Sequence, residues 1–205
     1  MIAVIDYGVG NLFSLVSSLR AVGAEAVVTG DPTVIRSSDK LILPGVGAFG
    51  DAADKLAAAG LSDVIRDEVK KGKEILGICL GMQLLFEKSY EYGEHAGLGL
   101  LKGEIVPLDG MIDPDLKIPQ IGWNALQFVK SCRLFKYLSG GEFVYFVHSF
   151  HAVGCADSLA ATVEYGIPVT AVVAKDNVMG CQFHPEKSGS VGLSMLRAFC
   201  EGVTA

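Results

Sequence analysis

Two short stretches of this 205-residue chain carry residue types that together can break an amide or ester bond. The first is Gly77-Ile78-Cys79-Leu80-Gly81. An apolar run at residues 75–78 reads as a buried strand, and from Leu80 the spacing of Leu80, Leu84 and Leu85 becomes helical. Cys79 sits where the period changes, with a glycine two positions to either side. This is the G-x-S-x-G nucleophile elbow with sulfur in place of oxygen. The spacing predicts a tight corner whose glycines leave room for neighbouring backbone, with the sulfur exposed at a helix N-terminus. There the helix dipole favours thiolate, the reactive form. A cysteine in an apolar run is otherwise an inert buried thiol; the glycine frame argues against that reading. The second stretch is His184-Pro185-Glu186, directly after an apolar run at 178–183. In an extended segment i and i+2 share a face, and Pro185 stiffens the unit. An imidazole beside a carboxylate suits a base and the group that orients it. Cys79, His184 and Glu186 thus predict thiol-based acyl transfer.

Such chemistry needs donors for a developing oxyanion. One is the amide after the nucleophile, Leu80; the other comes from the loop after a neighbouring strand, Val46 or Gly47. That loop, Pro44-Gly45-Val46-Gly47-Ala48-Phe49-Gly50, also matches G-x-G-x-x-G literally, and a nucleotide site is the competing reading. It follows a third strand, Pro44 stiffens its entry, and no acidic residue ends a strand about 20 residues on. Gly8-x-Gly10 lacks the third glycine of that fingerprint, having Phe13, and reads as a strand-to-helix loop at the same sheet end as Cys79. Gln83 lies one helical turn beyond Cys79 and can face the same cleft. His95 falls in a charged, loop-like stretch at 87–97 and is expected in solvent; His148 and His151 flank Ser149-Phe150 at a strand end.

The elements that must position these groups follow from the apolar pattern. Strands are expected at 2–6, 25–29, 40–43 and 75–78. Helices are expected from an Asn11 cap to about 22, at 49–59 and at 61–71. Alternation of strand and helix predicts an α/β fold, with a mostly parallel sheet covered by helices on both faces. Strands at 103–108, 121–129, 143–149, 160–164, 169–174 and 178–183 then follow closely, which predicts an antiparallel extension before a last helix at 189–201. The only tryptophan, Trp123, is by default a core residue. One domain spanning 1–205 is expected. Half the residues are hydrophobic and mean hydropathy is +0.41, yet no run approaches the ~18 residues of a membrane span. A net charge of −6 argues against nucleic acid or anionic membrane as partners. The N-terminus lacks a basic region and reads as a strand, not a signal peptide. Five scattered cysteines without C-x-x-C fit neither a disulfide framework nor a zinc site, and suggest a reducing cytoplasm.

Gly-Ile-Cys-Leu-Gly-Met-Gln, Pro-Gly-Val-Gly and His-Pro-Glu, in this order, resemble the class I (triad) glutamine amidotransferases, whose fold is flavodoxin-like. Ile5-Asp6-Tyr7-Gly8-x-Gly10-Asn11, Ile118-Pro119-Gln120-Ile121-Gly122-Trp123-Asn124, Val147-His148-Ser149 and His184-Pro185-Glu186-Lys187-Ser188 are similar to the glutaminase subunits of imidazole glycerol phosphate synthases. The similarity spans residues 2 to about 190. It implies glutamine hydrolysis by Cys79, His184 and Glu186 through a thioester, with no cofactor or metal. It implies that Gly45, Gly47, Gln83, Glu91, Ser149 and Phe150 surround the glutamine, Glu91 pairing with its α-ammonium. Phe150 departs from the common tyrosine, which removes any hydroxyl contact. It also implies a (β/α)8-barrel cyclase as partner, docking over the mouth holding Cys79 against Asn11, Trp123, Asn124, Tyr145 and Lys187 and receiving the ammonia. The Pro-Gly-Val-Gly loop would stay misaligned until partner and ligand bind. A stand-alone thiol hydrolase and a non-catalytic nucleotide-binding module are the other readings.

Overall fold

The computed structural model describes residues 1–202. Alternating strands and helices build its first half: β1 Ile2–Ile5, α1 Leu12–Ala21, β2 Ala26–Thr29, α2 Pro32–Ser37, β3 Lys40–Leu43, α3 Phe49–Ala58, α4 Leu61–Lys70, β4 Glu74–Ile78 and α5 Leu80–Leu84. The central strands β1, β3 and β4 carry apolar runs because both faces are covered, with Lys40 and Glu74 at the entries of β3 and β4. Along β1, Ile2 and Val4 join one core, packed with Leu15 and Leu19 of α1. Ala3 and Ile5 join the other, packed with α3 and α4 through Phe49, Leu56, Val64 and Ile65. Helix α2 was not expected from the apolar pattern. Its signal is polar: the Asp31 carboxylate accepts from Thr33 N at 2.7 Å, and Pro32 opens the helix.

The second half runs through β5 Lys88–Ser89, β6 His95–Ala96, β7 Glu104–Pro107, β8 Gln120–Ala125, β9 Gln127–Phe128, β10 Phe143–His148, β11 Phe150–Val153, β12 Leu159–Glu164, β13 Pro168–Lys175, β14 Val178–Cys181 and α6 Gly189–Cys200. The main sheet has the order β2-β1-β3-β4-β14-β13-β12-β9. Strands β2, β1, β3, β4 and β14 are parallel; β13, β12 and β9 extend the sheet antiparallel. Strand β14 is therefore the junction, parallel to β4 on one side and antiparallel to β13 on the other.

Three expectations shift in detail. The run at 121–129 is two strands, β8 pairing with β10 and β9 with β12; the chain changes sheet at buried Leu126. The stretch at 87–97 is not all loop, since β5 and β6 join a small sheet with β7 and β11. Strand β11 itself follows β10 after the single residue Ser149, so the two strands serve different sheets. Among the described residues no helix is long and apolar enough to cross a membrane.

Candidate active site

Strands β4 and β14 are neighbours in register, Ile78 opposite Cys181, and the candidate residues leave the same end of both. Cys79 has φ 54° and ψ −114°, a conformation costly for any residue with a β-carbon. It is held from both sides: its N–H donates to Cys181 O at 2.8 Å, while its carbonyl accepts from Met82 N at 3.0 Å and Gln83 N at 3.2 Å. The flanking glycines are required by space. A β-carbon on Gly77 would lie 2.7 Å from Gly81 O, and one on Gly81 would lie 1.8 Å from Leu43 O. Helix α5 is only five residues long, so its dipole is shorter than the apolar spacing promised. Nor is the sulfur open to bulk solvent; Cys79 is largely buried and lines a cavity of about 320 Å³.

His184 lines the same cavity. Its Nδ1 lies 2.8 Å from Glu186 Oε1, and both side chains are buried. The pair forms by a different local geometry from the one expected. His184 is extended, but Glu186 sits in a single 3₁₀ turn, Pro185–Lys187, that swings the carboxylate back under the ring. A carboxylate accepting at Nδ1 leaves Nε2 to meet the sulfur. Burial acts to lower the His184 pKa; hydrogen bonding to Cys79 and to Glu186 overcomes it and raises the ring to about 9. An imidazolium beside a sulfur favours thiolate over thiol.

The glycine loop after β3 borders the cavity through Val46 and Gly47, facing Leu80 across it. Gly47 has φ 98° and open space around it, so the peptide there can turn toward a charge. Gly45 stands behind the loop and does not line the cavity. A β-carbon on it would lie 2.7 Å from Tyr7 Oη and 3.0 Å from Gly81 N. Tyr7 in turn donates to Pro44 O at 2.8 Å and braces the turn. Burial, and next the neighbouring Cys79, raise the Tyr7 pKa, so its hydroxyl remains a donor.

Gln83, Glu91, Ser149 and Phe150 all line the cavity, as do Pro119, Val147 and His148, which sequence reasoning did not place there as substrate contacts. Glu91 Oε2 accepts from Phe49 N, the first amide of α3, at 2.6 Å. A carboxylate thus occupies the helix N-terminus where a phosphate would have to sit, which counts against the nucleotide reading. Burial lowers the His148 pKa to about 4, so the ring is neutral, and its Nδ1 faces Phe150 O at 2.8 Å. His151 is likewise lowered to about 4 by burial. His95 is not in open solvent; its ring packs over Gly50, within 2.6 Å of where a β-carbon would be. It lines a separate, larger cavity of about 450 Å³ with Asp54, Ser62, Asp63 and Glu94, which contains no cysteine.

Outside the cavity, Trp123 is half-exposed and not core, edge-on to Tyr145 with ring centroids 6.0 Å apart. Lys187 Nζ lies 5.9 Å from the Tyr145 ring centroid. Ile121 and Phe143 extend this exposed face along the β8–β10 pair. Asn124 alternates away from it. Its side chain accepts from Gln120 Nε2 at 3.0 Å and donates to Glu164 O at 3.2 Å. Asn11 is exposed and caps α1, accepting from Ser14 N at 3.4 Å.

The family profile "Glutamine amidotransferase class-I" matches residues 3–202. The chain belongs to that family. This amidotransferase is also 50% identical over 204 residues to "Imidazole glycerol phosphate synthase subunit HisH" of Wolinella succinogenes, covering 98% of this chain and 99% of that one. Proteins of the same name from Aquifex aeolicus and Bacillus subtilis are 51% and 48% identical, covering 96% and 97% of this chain and 94% and 95% of theirs. Among solved structures, one described as a glutamine amidotransferase superposes with a TM-score of 0.77 at 19% identity, covering 99% of this chain and all of the other. PurLQS from Thermotoga maritima superposes at 0.70 and 22% identity, covering 97% and 94%. At such identities these two structures speak for the fold alone.

Proposed function

We propose that this amidotransferase is the glutaminase subunit of an imidazole glycerol phosphate synthase, working in histidine biosynthesis. It hydrolyses glutamine to glutamate and ammonia, and the ammonia passes to a (β/α)8-barrel cyclase subunit. The observation that carries the reading is full-length identity near 50% to proteins of that name. A cavity lined by the Cys79 thiol and by the His184 imidazole, which Glu186 backs, supports it.

Cys79 attacks the side-chain amide carbon of glutamine. His184 draws the thiol proton and delivers it to the departing ammonia, and Glu186 keeps the ring in the tautomer that allows both transfers. The Leu80 amide and an amide of the Val46-Gly47 loop receive the oxyanion. Water, activated by the neutral imidazole, then cleaves the glutamyl thioester. Glutamine lies against Gln83, Glu91, Ser149 and Phe150, with Gly45 shaping the loop from behind. Glu91 meets the α-ammonium with the oxygen that does not accept from Phe49 N. No cofactor takes part. The partner docks on the face of Trp123, Tyr145 and Lys187, with Asn11 at its margin. Asn124 shapes that face from inside and does not project from it. The subunit is a single domain and works in the cytoplasm as half of a heterodimer, with no role for nucleic acid or membrane.

Glutaminase assays with and without the barrel subunit and its ligand test this. Hydrolysis should rise steeply on adding both and vanish in Cys79→Ala. A glutamine-mimicking electrophile should leave its adduct on Cys79. Stimulation by a different synthase and none by the barrel would reassign the chain within the superfamily. Substantial ester or peptide turnover by the chain alone would favour the stand-alone hydrolase.

A further inference from the structure

We propose that Gln182 is a second group acting on the nucleophile: its side-chain amide donates to Cys79 Sγ and stabilises the thiolate, locked in that orientation by Gln83 and the Phe150 carbonyl. The inference rests on Cys79 being the nucleophile.

The orientation follows by elimination along a chain of bonds. Phe150 O is a carbonyl and can only accept. Gln83 Nε2 lies 3.1 Å from it, so Gln83 turns its NH2 end that way. The same Nε2 lies 3.0 Å from Gln182, which must therefore present its oxygen, Oε1. The opposite end of the Gln182 amide, Nε2, is then a donor, and it points at Cys79 Sγ, 3.9 Å away. Amide ends are otherwise easily interchanged; here one carbonyl fixes two of them. His148 Nδ1 also faces Phe150 O, at 2.8 Å, which holds that carbonyl in place.

Both glutamines are buried, Gln182 completely. Strand register puts Gln182 one residue beyond Cys181, beside Cys79, and Gln182 N is pinned to Ala171 O at 2.9 Å. A buried donor aimed at a sulfur lowers the free energy of the anion more than that of the thiol. The other groups facing the sulfur do not duplicate this. His184 lines the same cavity from beyond β14, with Glu186 behind it. Tyr7 Oη donates its hydrogen bond to Pro44 O. Burial, then Glu186 and Cys79, hold the Cys181 thiol in its neutral form. Glu91 and His148 border the wider cavity.

The arrangement also joins substrate to nucleophile. Both N–H groups of Gln83 are engaged, so only its Oε1 remains for glutamine. A substrate N–H bonded there polarises Gln83, then Gln182, in the direction that strengthens the bond to sulfur.

The test is the pH dependence of iodoacetamide alkylation of the full chain, read by mass spectrometry at Cys79. Loss of the donor in Gln182→Met should move the Cys79 titration up by about half a unit to one unit. Below the inflection, rates fall about three- to tenfold. Gln182→Glu, of the same shape but unable to donate when ionised, should move it further in the same direction. Gln83→Leu, which unlocks the amide, should move it less. A thermal melt confirms that each variant is folded; if the methionine variant fails to fold, the other two carry the test. Profiles of the folded variants that superpose on the parent overturn the role of Gln182. A parent that is alkylated only at other cysteines overturns the nucleophile assignment itself, and this inference with it.

Discussion

Glu186→Gln separates the charge of the triad carboxylate from its geometry. The carboxamide has the same shape, and it keeps ring orientation and tautomer where its oxygen, not its NH2, turns to His184 Nδ1. What is lost is the negative charge at the 2.8 Å contact. Burial pulls the His184 pKa down, yet Cys79 and Glu186 together carry it from 6.5 to about 9. At about 1.4 kcal/mol per pH unit, the net rise with burial included is about 3 kcal/mol. If Glu186 supplies near half, its loss returns the ring to the neighbourhood of pH 7.5 to 8. The sign is definite. Ammonia departs by taking a proton from imidazolium, so activity fails on the alkaline side once the ring is deprotonated. In the parent complex that limb of kcat/KM should lie near pH 9; in Glu186→Gln it should move down by about one to one and a half units, with rates near pH 8 lower by about two- to fourfold. Stability should follow the same direction. A group whose pKa is raised by folding contributes fully below its unfolded value of 6.5, and the contribution fades as pH climbs through about 9. Urea titrations across that window should show a smaller decline in the variant. An alkaline limb unmoved by Glu186→Gln, with catalysis intact, would refute the assignment of Glu186 as the charge that holds the proton on His184.

Three further outcomes follow from packing. Gly81→Ala places a methyl 1.8 Å from Leu43 O, a backbone atom that cannot yield, and should cost more than about 4 kcal/mol; a variant with the parent melting temperature would contradict the elbow geometry. Lys40 is buried, donating to Phe199 O at 2.8 Å and Glu201 O at 2.6 Å while pairing with Glu74 at 2.6 Å. Lys40→Met should cost about 2–3 kcal/mol in urea unfolding, less than a fully buried pair because Arg133 still reaches Glu74 and Phe199 O. Trp123→Ala should leave the melting temperature of the chain within a degree or two, since its ring is half-exposed, but weaken binding to the barrel about thirtyfold, or about 2 kcal/mol.

The parallel half of the sheet was legible because strands buried on both faces carry continuous apolar runs that stop sharply, as at Ile5 and Leu43. The elbow was legible for a steric reason: Gly77 and Gly81 are forced by backbone contacts, so glycine is the only spelling. Helix α2 escaped because one buried residue, Ile35, gives no periodicity, although Asp31-Pro32 announces its start. The break at Leu126 escaped because β8 and β9 are both compatible with one long strand; pairing partners far along the chain decide where it divides. Gln182 escaped for a related reason. Nothing local distinguishes a glutamine near a strand end, and its meaning appears only when β14 is laid beside β4.

That adjacency has a further consequence. The four pairs from Val178 opposite Ile75 to Cys181 opposite Ile78 fix where both chains emerge, so Cys79 and Gln182 lie side by side and His184 two residues on. Side chains alternate along a strand, and a slip of β14 by one residue would send Gln182 and Phe183 to each other's faces. Phe183 is fully buried, edge-on to Phe146 with centroids 5.6 Å apart, so a slip would leave a phenyl ring at the sulfur and an amide in the apolar core. The core packing that stabilises β14 is thus also what holds the register of thiol, amide and imidazole. Substitutions that loosen Phe183 should therefore impair the chemistry before they unfold the chain, although the ring itself does not line the catalytic cavity.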